Sequence, residues 1–237
     1  MLAVFINCAF ILAGSFLGIL LRGRLPARFM DVVMQAMGLV VLSIGMASAI
    51  GTDNTLCVVV SLAIGTVIGE AIDIERRLDA CGEMLKRRLI REEGSGSTFT
   101  QGFVTASLLF CVGAMAIVGA IDAGIYGDYS VLVSKSVIDG VTSISFAATL
   151  GIGVAFSALP ILIYQGGIVL LAGLVAGFLT DPMITEMSAA GGCIIIGLGV
   201  NMLGLRKTPV KVGNMLPAIF VPLAYLPIAQ WLGGLFA

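Results

Sequence analysis

The chain has 237 residues, of which 59% are hydrophobic and only 11% are charged, and its mean hydropathy is +1.10. About a quarter of the residues of a soluble domain are charged, so this composition excludes a water-soluble globular protein. The net charge of −1 gives no reason to expect a nucleic-acid partner, and the absence of histidine excludes sites built on imidazole.

Eight apolar runs follow one another, each close to the roughly 20 residues that a helix needs to cross a bilayer core. The fifth and sixth runs meet at Leu159-Pro160, which is either a tight hairpin between two spans or part of a re-entrant segment. The sequence therefore predicts an all-α integral membrane protein with seven or eight transmembrane helices. The runs cover 3–21, 29–50, 55–72, 98–121, 137–159, 161–179, 184–204 and 215–236.

The basic residues predict the orientation of these spans. If the N-terminus lies outside and eight spans are threaded, twelve of the thirteen Lys and Arg residues fall on one side. The positive-inside rule makes that side cytoplasmic. The exception is Lys135. The twelve residues are Arg22, Arg24, Arg28, Arg76, Arg77, Lys86, Arg87, Arg88, Arg91, Arg206, Lys207 and Lys211.

The third span is followed by the one strongly polar segment, 73–97. Its apolar residues Ile74, Leu78 and Cys81 recur on one stripe, which predicts an amphipathic cytosolic helix. This helix is either a docking surface for a partner or the lipid surface, or an extension that packs on its own protein.

The chain also matches itself at an offset of 159 residues. Nine of 36 positions are identical between 10–45 and 169–204. The match equates the first span with the sixth, and an odd and an even span cross in opposite directions. It therefore predicts an inverted repeat, an architecture common in secondary transporters.

The repeat gives a provisional division of the chain. Residues 1–72 form the first three-span unit, 73–97 the cytosolic helix and linker, 98–160 the two central spans, and 161–237 the second three-span unit. The alternative is that small residues four apart arise wherever membrane helices pack closely. The residues concerned are the glycine pairs Gly14/Gly18 and Gly173/Gly177.

Lys135 and Asp139 lie four residues apart in or beside the fifth span and can pair on one helical face, with Ser136 next to them. A charge inside a span is costly unless it is paired, and by default it marks a functional pathway. A Lys–Asp pair is suited to a zwitterionic or anionic solute, or to a gate. The alternative is a structural pair near the outer interface, with Lys135 extended toward water.

Four amides also lie at span depth, and their convergence would form an uncharged coordination site. Each is alternatively an interhelical hydrogen bond. Glu70 ends the third span near the inner interface, and Glu186 lies close enough to a span end to be interfacial. The four amides are Asn7, Gln35, Gln165 and Asn201.

With these segments in view, the chain resembles DUF554, a family of uncharacterised bacterial membrane proteins. The matching pieces are AGSFLG, RLPAR, GLVVLSIGM, IGTVIGEAIDIE, KSVIDG and LIYQGG, and the resemblance covers essentially the whole length. KSxxDG is its most specific part. The resemblance implies a protein of the bacterial cytoplasmic membrane and brings no activity or ligand with it.

The function expected from these features is gradient-driven secondary transport of a small solute or ion, because there is no nucleotide-binding motif. A membrane scaffold or accessory subunit and a passive channel are the alternatives. An enzyme is not expected, since a Ser-Lys dyad would need Ser134 or Ser136 with Lys135, and adjacent residues point apart on a helix. The five scattered cysteines suggest no metal or redox cofactor, and homo-oligomerisation stays open.

Overall fold

The computed structural model describes residues 1–22, 27–89, 96–175 and 177–236, and all regular structure within these ranges is helical. Two segments are 3-10 helices, Ile152–Ser157 and Val212–Ile219. The α-helices are α1 (Leu2–Arg22), α2 (Ala27–Ile50), α3 (Thr55–Ile72), α4 (Ile74–Leu89), α5 (Gly96–Cys111), α6 (Ala114–Ile125), α7 (Ser130–Leu150), α8 (Ala158–Leu170), α9 (Ala172–Val175), α10 (Asp181–Met202) and α11 (Pro222–Phe236).

Six helical segments in the described residues are long and apolar enough to cross a bilayer. Two further helix pairs pass the same test together but are bent, so the count is six to eight. The prediction of an all-α membrane protein with about eight spans is confirmed. Large apolar side chains remain exposed over most of these helices, as lipid contact requires.

The fourth predicted span is broken, whereas the sequence analysis treats 98–121 as continuous. It consists of α5 and α6, which meet at an angle of 61°. Gly113 occupies the break with a φ of 125°, a conformation that side chains with a Cβ rarely adopt. The last predicted span is bent as well, by 40° between the 3-10 helix Val212–Ile219 and α11.

The boundary between the fifth and sixth spans lies at Gly151, not at Leu159-Pro160. α7 ends at Leu150, and Gly151 has a φ of 84°. Pro160 lies in the first turn of α8, where its missing N–H breaks no helical hydrogen bond. The fifth span therefore covers 130–150 rather than 137–159. Lys135 precedes the predicted span but lies inside the observed helix.

Glycines bring α1 and α7 into backbone contact. A Cβ on Gly14 would lie 2.2 Å from the carbonyl oxygen of Gly140, and one on Gly18 would lie 2.3 Å from that of Ile144. Such distances are well below van der Waals contact, so only glycine fits. Residue numbers rise together along both helices, which therefore run parallel.

Two other close contacts, α2 with α10 and α3 with the second 3-10 helix, are antiparallel. In α2 and α10, Gly45 packs against Gly192, and a Cβ on Gly45 would lie 2.8 Å from the Gly192 carbonyl oxygen. In α3, a Cβ on Gly69 would lie 1.9 Å from the carbonyl oxygen of Asn214. These relative directions agree with the eight-span threading.

The second glycine pair does not pack as the first one does. A Cβ on Gly173 would meet nothing within 4 Å, and one on Gly177 would have its nearest contact at 3.7 Å. The assignment of Gly173 and Gly177 as helix-packing residues is therefore wrong. The inverted repeat stays a prediction: α1 is a continuous helix of 21 residues, whereas its proposed counterpart α8 has 13.

The amphipathic helix α4 packs on its own chain. Leu78 contributes to an apolar pocket with residues of α5 and α10, and Gly82 is buried with Thr100 nearby. Cys81, predicted for the apolar stripe, is exposed. Leu78 therefore lies on the packed face as predicted, Gly82 takes the place expected for Cys81, and α4 covers the start of α5.

Candidate functional site

The predicted pair of Lys135 and Asp139 is buried in the middle of the molecule. Both belong to α7, and the Lys135 ammonium donates to Asp139 Oδ2 across one helical turn. Lys135 is 6% and Asp139 5% exposed. Lys135 is therefore not extended toward water, whereas the depth of the pair in the membrane stays a prediction.

Two amides from other helices complete the polar centre. Asn7 of α1 donates through Nδ2 to Asp139 Oδ2 at 3.2 Å and to Gln165 Oε1 of α8 at 3.1 Å. Both amides are fully buried. A chain of four side chains therefore links α7, α1 and α8 through Asp139 and Asn7.

Several buried polar atoms of α1, α7 and α8 have no hydrogen-bond partner in the described part of the protein, two of them on Asn7 and Gln165 themselves. Leaving a buried polar atom without a partner costs about 1–3 kcal/mol, so such atoms normally meet water or a solute. The set includes an acceptor, a donor and two hydroxyls, which suits a small polar molecule or ion. The atoms are Asn7 Oδ1, Gln165 Nε2, Ser15 Oγ and Ser143 Oγ.

The break between α5 and α6 adjoins this centre. Phe110 is the penultimate residue of α5, and the Lys135 Nζ atom lies 5.9 Å from its ring centroid. Two residues after α5 ends, Gly113 begins the turn into α6. Discontinuous helices beside intramembrane polar sites are characteristic of secondary transporters, because they bring free backbone groups to membrane depth.

Ser136 has a structural bond in this state. It is fully buried, and its hydroxyl donates to the backbone oxygen of Leu132 at 2.6 Å. This back-bonding satisfies the hydroxyl within α7. Ser136 therefore lies beside the centre without contacting the Lys135–Asp139 pair.

The other predicted site residues lie elsewhere, so the four amides do not converge. Gln35 is exposed on α2. Asn201 bonds to both backbone groups of Val210, donating at 2.8 Å and accepting at 2.7 Å, and so fastens the segment after α10. Only Asn7 and Gln165 meet.

Glu70 is also remote from the centre. Its two carboxylate oxygens accept from Lys211 and from Asn214, each at 2.6 Å, and so join α3 to the second 3-10 helix. The hydrogen bond and charge of Glu70 raise the pKa of Lys211 above its usual value. These contacts hold the end of α3 against the second 3-10 helix, so Glu70 has a structural role here.

Glu186 is buried, whereas its position near a span end suggested an interfacial residue. Its carboxylate accepts from the Thr52 hydroxyl at 2.6 Å and from the backbone N–H groups of Asp53 and Asn54 at 2.9 Å each. Three donors compensate the buried charge. The TDN sequence, with turn residues directly before a helix, was the signal for an acceptor here.

The centre offers one cation, one anion and neutral amides within a few ångströms. A carboxylate of a solute can replace Asp139 beside Lys135, and a cation can replace Lys135 beside Asp139. No group of three or more Cys, Asp and Glu side chains among the described residues is placed to hold a metal ion. The chemistry of the centre is reversible ionic and hydrogen-bond exchange.

Comparison with known proteins agrees with this membrane architecture. The family model for a protein of unknown function, DUF554, matches residues 2–226. The chain is 32% identical over 226 residues to the uncharacterized membrane protein YdfK of Bacillus subtilis, covering 94% of each chain. It is 33% identical over 219 residues to the uncharacterized protein YqgA of Escherichia coli, covering 92% of each.

No solved structure matches the chain. The family model covers nearly the whole length, and both relatives align from end to end with identities above 30%. The chain therefore belongs to the DUF554 family of membrane proteins.

Proposed function

We propose that the protein is a gradient-driven secondary transporter or permease for a small solute or ion. The observation that carries this proposal is the buried Lys135–Asp139 pair, bridged by Asn7 to Gln165. Intramembrane charges are retained at a cost of several kcal/mol and by default mark a pathway. The neighbouring break between α5 and α6 supports the same function.

In this mechanism the Lys135–Asp139 contact is the closed form of the site. A solute group competes for one member of the pair, while the free acceptor of Asn7 and the free donor of Gln165 bind its polar atoms. The site is buried, so the solute reaches it only when helices rearrange toward one side and then the other. Without histidine, proton coupling would use Asp139.

The membrane is proposed to be the bacterial cytoplasmic membrane, with the N-terminus outside and the basic loops in the cytoplasm. The Lys and Arg distribution supports this orientation. The antiparallel packing of α3 on the second 3-10 helix, in which Gly65 meets Ala218 and Gly69 meets Asn214, supports an even number of spans.

An enzymatic role finds no support in the site. Two hydroxyl residues, Ser134 and Ser136, are adjacent in sequence to Lys135, and the Ser136 hydroxyl donates to the Leu132 backbone oxygen instead. The remaining alternatives are a membrane scaffold, in which the pair only packs helices, and a passive channel. The test must therefore distinguish a dry centre, a centre open to one side, and one open to each side in turn.

The test measures access of water-borne reagents to Ser136. The five native cysteines are replaced, Ser136→Cys is introduced, and oriented vesicles receive a charged thiol reagent on one side at a time. We expect slow labelling from both sides, because a transporter exposes the buried face of α7 alternately. If the protein is a membrane scaffold, Ser136→Cys should stay unlabelled from both sides.

Two matched variants control the measurement. Ile138→Cys faces lipid on the same helix and stays unlabelled by a charged reagent from either side. Asp128→Cys, in the exposed loop before α7, reacts rapidly from a single side and reports the vesicle orientation. Protection of Ser136→Cys from both sides would contradict transport, and labelling from one side only would contradict alternating access.

A further inference from the structure

The two charges of the buried centre restrict the kind of solute that it can hold. Lys135 and Asp139 are both buried and neutralise each other. A solute with a single charge that replaces one of them leaves the other buried without a counterion, which is strongly unfavourable. A solute with one positive and one negative charge pairs with both residues at once, so the centre stays neutral.

Two buried amide atoms supply further contacts for such a solute. Asn7 and Gln165 are fully buried, and Asn7 Oδ1 and Gln165 Nε2 have no hydrogen-bond partner among the described residues. An ammonium group needs acceptors, and a carboxylate needs donors. The centre therefore offers Asp139 and Asn7 Oδ1 to an ammonium group, and Lys135 and Gln165 Nε2 to a carboxylate.

An apolar cavity adjoins this centre. Its volume is about 250 Å³, and its described lining residues carry no charge. α5 places Phe110 against Lys135 and the next residue, Cys111, in the cavity wall. α8 places Gln165 in the centre and the preceding residue, Tyr164, in the cavity wall. The cavity and the centre are thus separated by neighbouring residues of the same two helices.

The apolar space continues beyond this cavity. A second cavity of about 530 Å³ shares Ile117, Tyr164, Met187 and Phe220 with the first, and its described lining residues are uncharged as well. Small-molecule sites are typically apolar cavities with a few polar groups that fix the orientation of the ligand. The cavity and the centre together have this composition.

We propose that the centre and the cavity bind an α-amino acid with an apolar side chain. This inference rests on the proposed transport function and names its class of substrate. Lys135 and Asp139 are in hydrogen-bond contact, so the solute must carry its two charges close together, as on one carbon atom. Its side chain enters the cavity beside Cys111 and Tyr164, where it is removed from water.

The test is isothermal titration of the purified full-length protein in detergent with L-leucine and three analogues. Isopentylamine and 4-methylpentanoate keep the apolar group but carry one charge each. We expect saturable leucine binding and at least tenfold weaker binding of both analogues, because each leaves one buried charge unpaired. Glycine has both charges and no side chain, and it should also bind at least tenfold more weakly.

A matched pair of variants tests the amide contact. Gln165→Leu removes the unpartnered donor and should weaken leucine binding about tenfold. Gln35→Leu makes the same change on the exposed face of α2 and should bind leucine like the parent chain. The unfolding temperature of each ligand-free variant establishes that it is folded. The analogue series uses the parent chain and so does not depend on either variant.

Several results would overturn the inference. They are the absence of saturable leucine binding, a single-charge analogue or glycine that binds as tightly as leucine, and equal weakening by Gln165→Leu and Gln35→Leu. None of these results changes the labelling of Ser136→Cys, which tests the transport proposal. Labelling from both sides without leucine binding would therefore reject the substrate class and keep the transport function.

Discussion

Lys135 and Asp139 are each tolerated in the membrane only because the other is present. Asp139 receives the Lys135 ammonium and one Asn7 N–H, while Lys135 also faces the Phe110 ring. The spacing of the pair was readable from the sequence, because residues four apart share a helical face. The burial of the pair could not be read from the sequence, because it depends on which helices pack on α7.

Breaking this pair on one side should destabilise the protein strongly. Asp139→Asn leaves the Lys135 charge buried without its counterion, which costs about 3–5 kcal/mol. The double variant Lys135→Met with Asp139→Leu removes both charges and should recover most of that loss. Thermal unfolding in detergent measures both effects.

The double variant also separates packing from function. A well-folded double variant in which Ser136→Cys is still labelled from both sides would contradict a role for the pair in gating. Loss of labelling in a folded protein is the expected result.

Glu186 has a structural role, because its carboxylate stabilises the turn between α2 and α3. Glu186→Gln replaces one acceptor oxygen by an NH₂ group that faces donors, so it should lower the free energy of unfolding by about 2–3 kcal/mol. Asp181→Asn, an exposed acid at the start of the same helix, should change it by less than about 1 kcal/mol. Equal effects of the two variants in thermal unfolding would contradict this role.

At the scale of elements, hydropathy located the spans because a lipid core demands long apolar helices. It missed the breaks at Gly113 and Gly151, because a broken and a continuous span have the same composition. It also treated Gly14 and Gly173 alike. Only tertiary contacts distinguish the two, since one meets a backbone and the other meets nothing.

This difference gives a matched pair of substitutions. Gly14→Ala drives a Cβ toward the Gly140 carbonyl and should destabilise the protein by about 1–3 kcal/mol through overpacking. Gly173→Ala adds the same methyl group in open space and should be neutral, or stabilising by up to about 1 kcal/mol through helix propensity. The measurement is thermal unfolding. Equal decreases in the unfolding temperature of Gly14→Ala and Gly173→Ala would contradict the α1–α7 contact.

At the scale of the whole molecule, the positive charges and the helix directions lead to the same topology. In the proposed topology, twelve basic residues lie on one side and eight crossings place both termini outside. The central pair Lys135–Asp139 was found from the sequence, whereas its partners Asn7 and Gln165 were found only among four candidates. Sequence separations of 132 and 158 residues explain why: local patterns do not report such contacts.

Reporter fusions test this topology. Alkaline phosphatase fused after Ala237 should be active, because that enzyme folds only outside the cytoplasm, and a fluorescent protein fused there should be dark. Fusions after Glu93 should give the reverse pattern. A fluorescent C-terminus would mean an odd number of crossings and a re-entrant segment among the predicted spans.

The glycine contact between α1 and α7 limits how the centre can open. With backbones touching, the two helices form one rigid body, which carries Asn7, Lys135 and Asp139 together. α8 begins after the break at Gly151, and it meets α1 through the Asn7–Gln165 bond and a 3.5 Å contact from Cys8 Sγ to the Ala158 oxygen. If the centre opens by a hinge at Gly151, we expect α8 to move against α1 and α7, so that Gln165 separates from Asn7 while Asn7, Lys135 and Asp139 stay together.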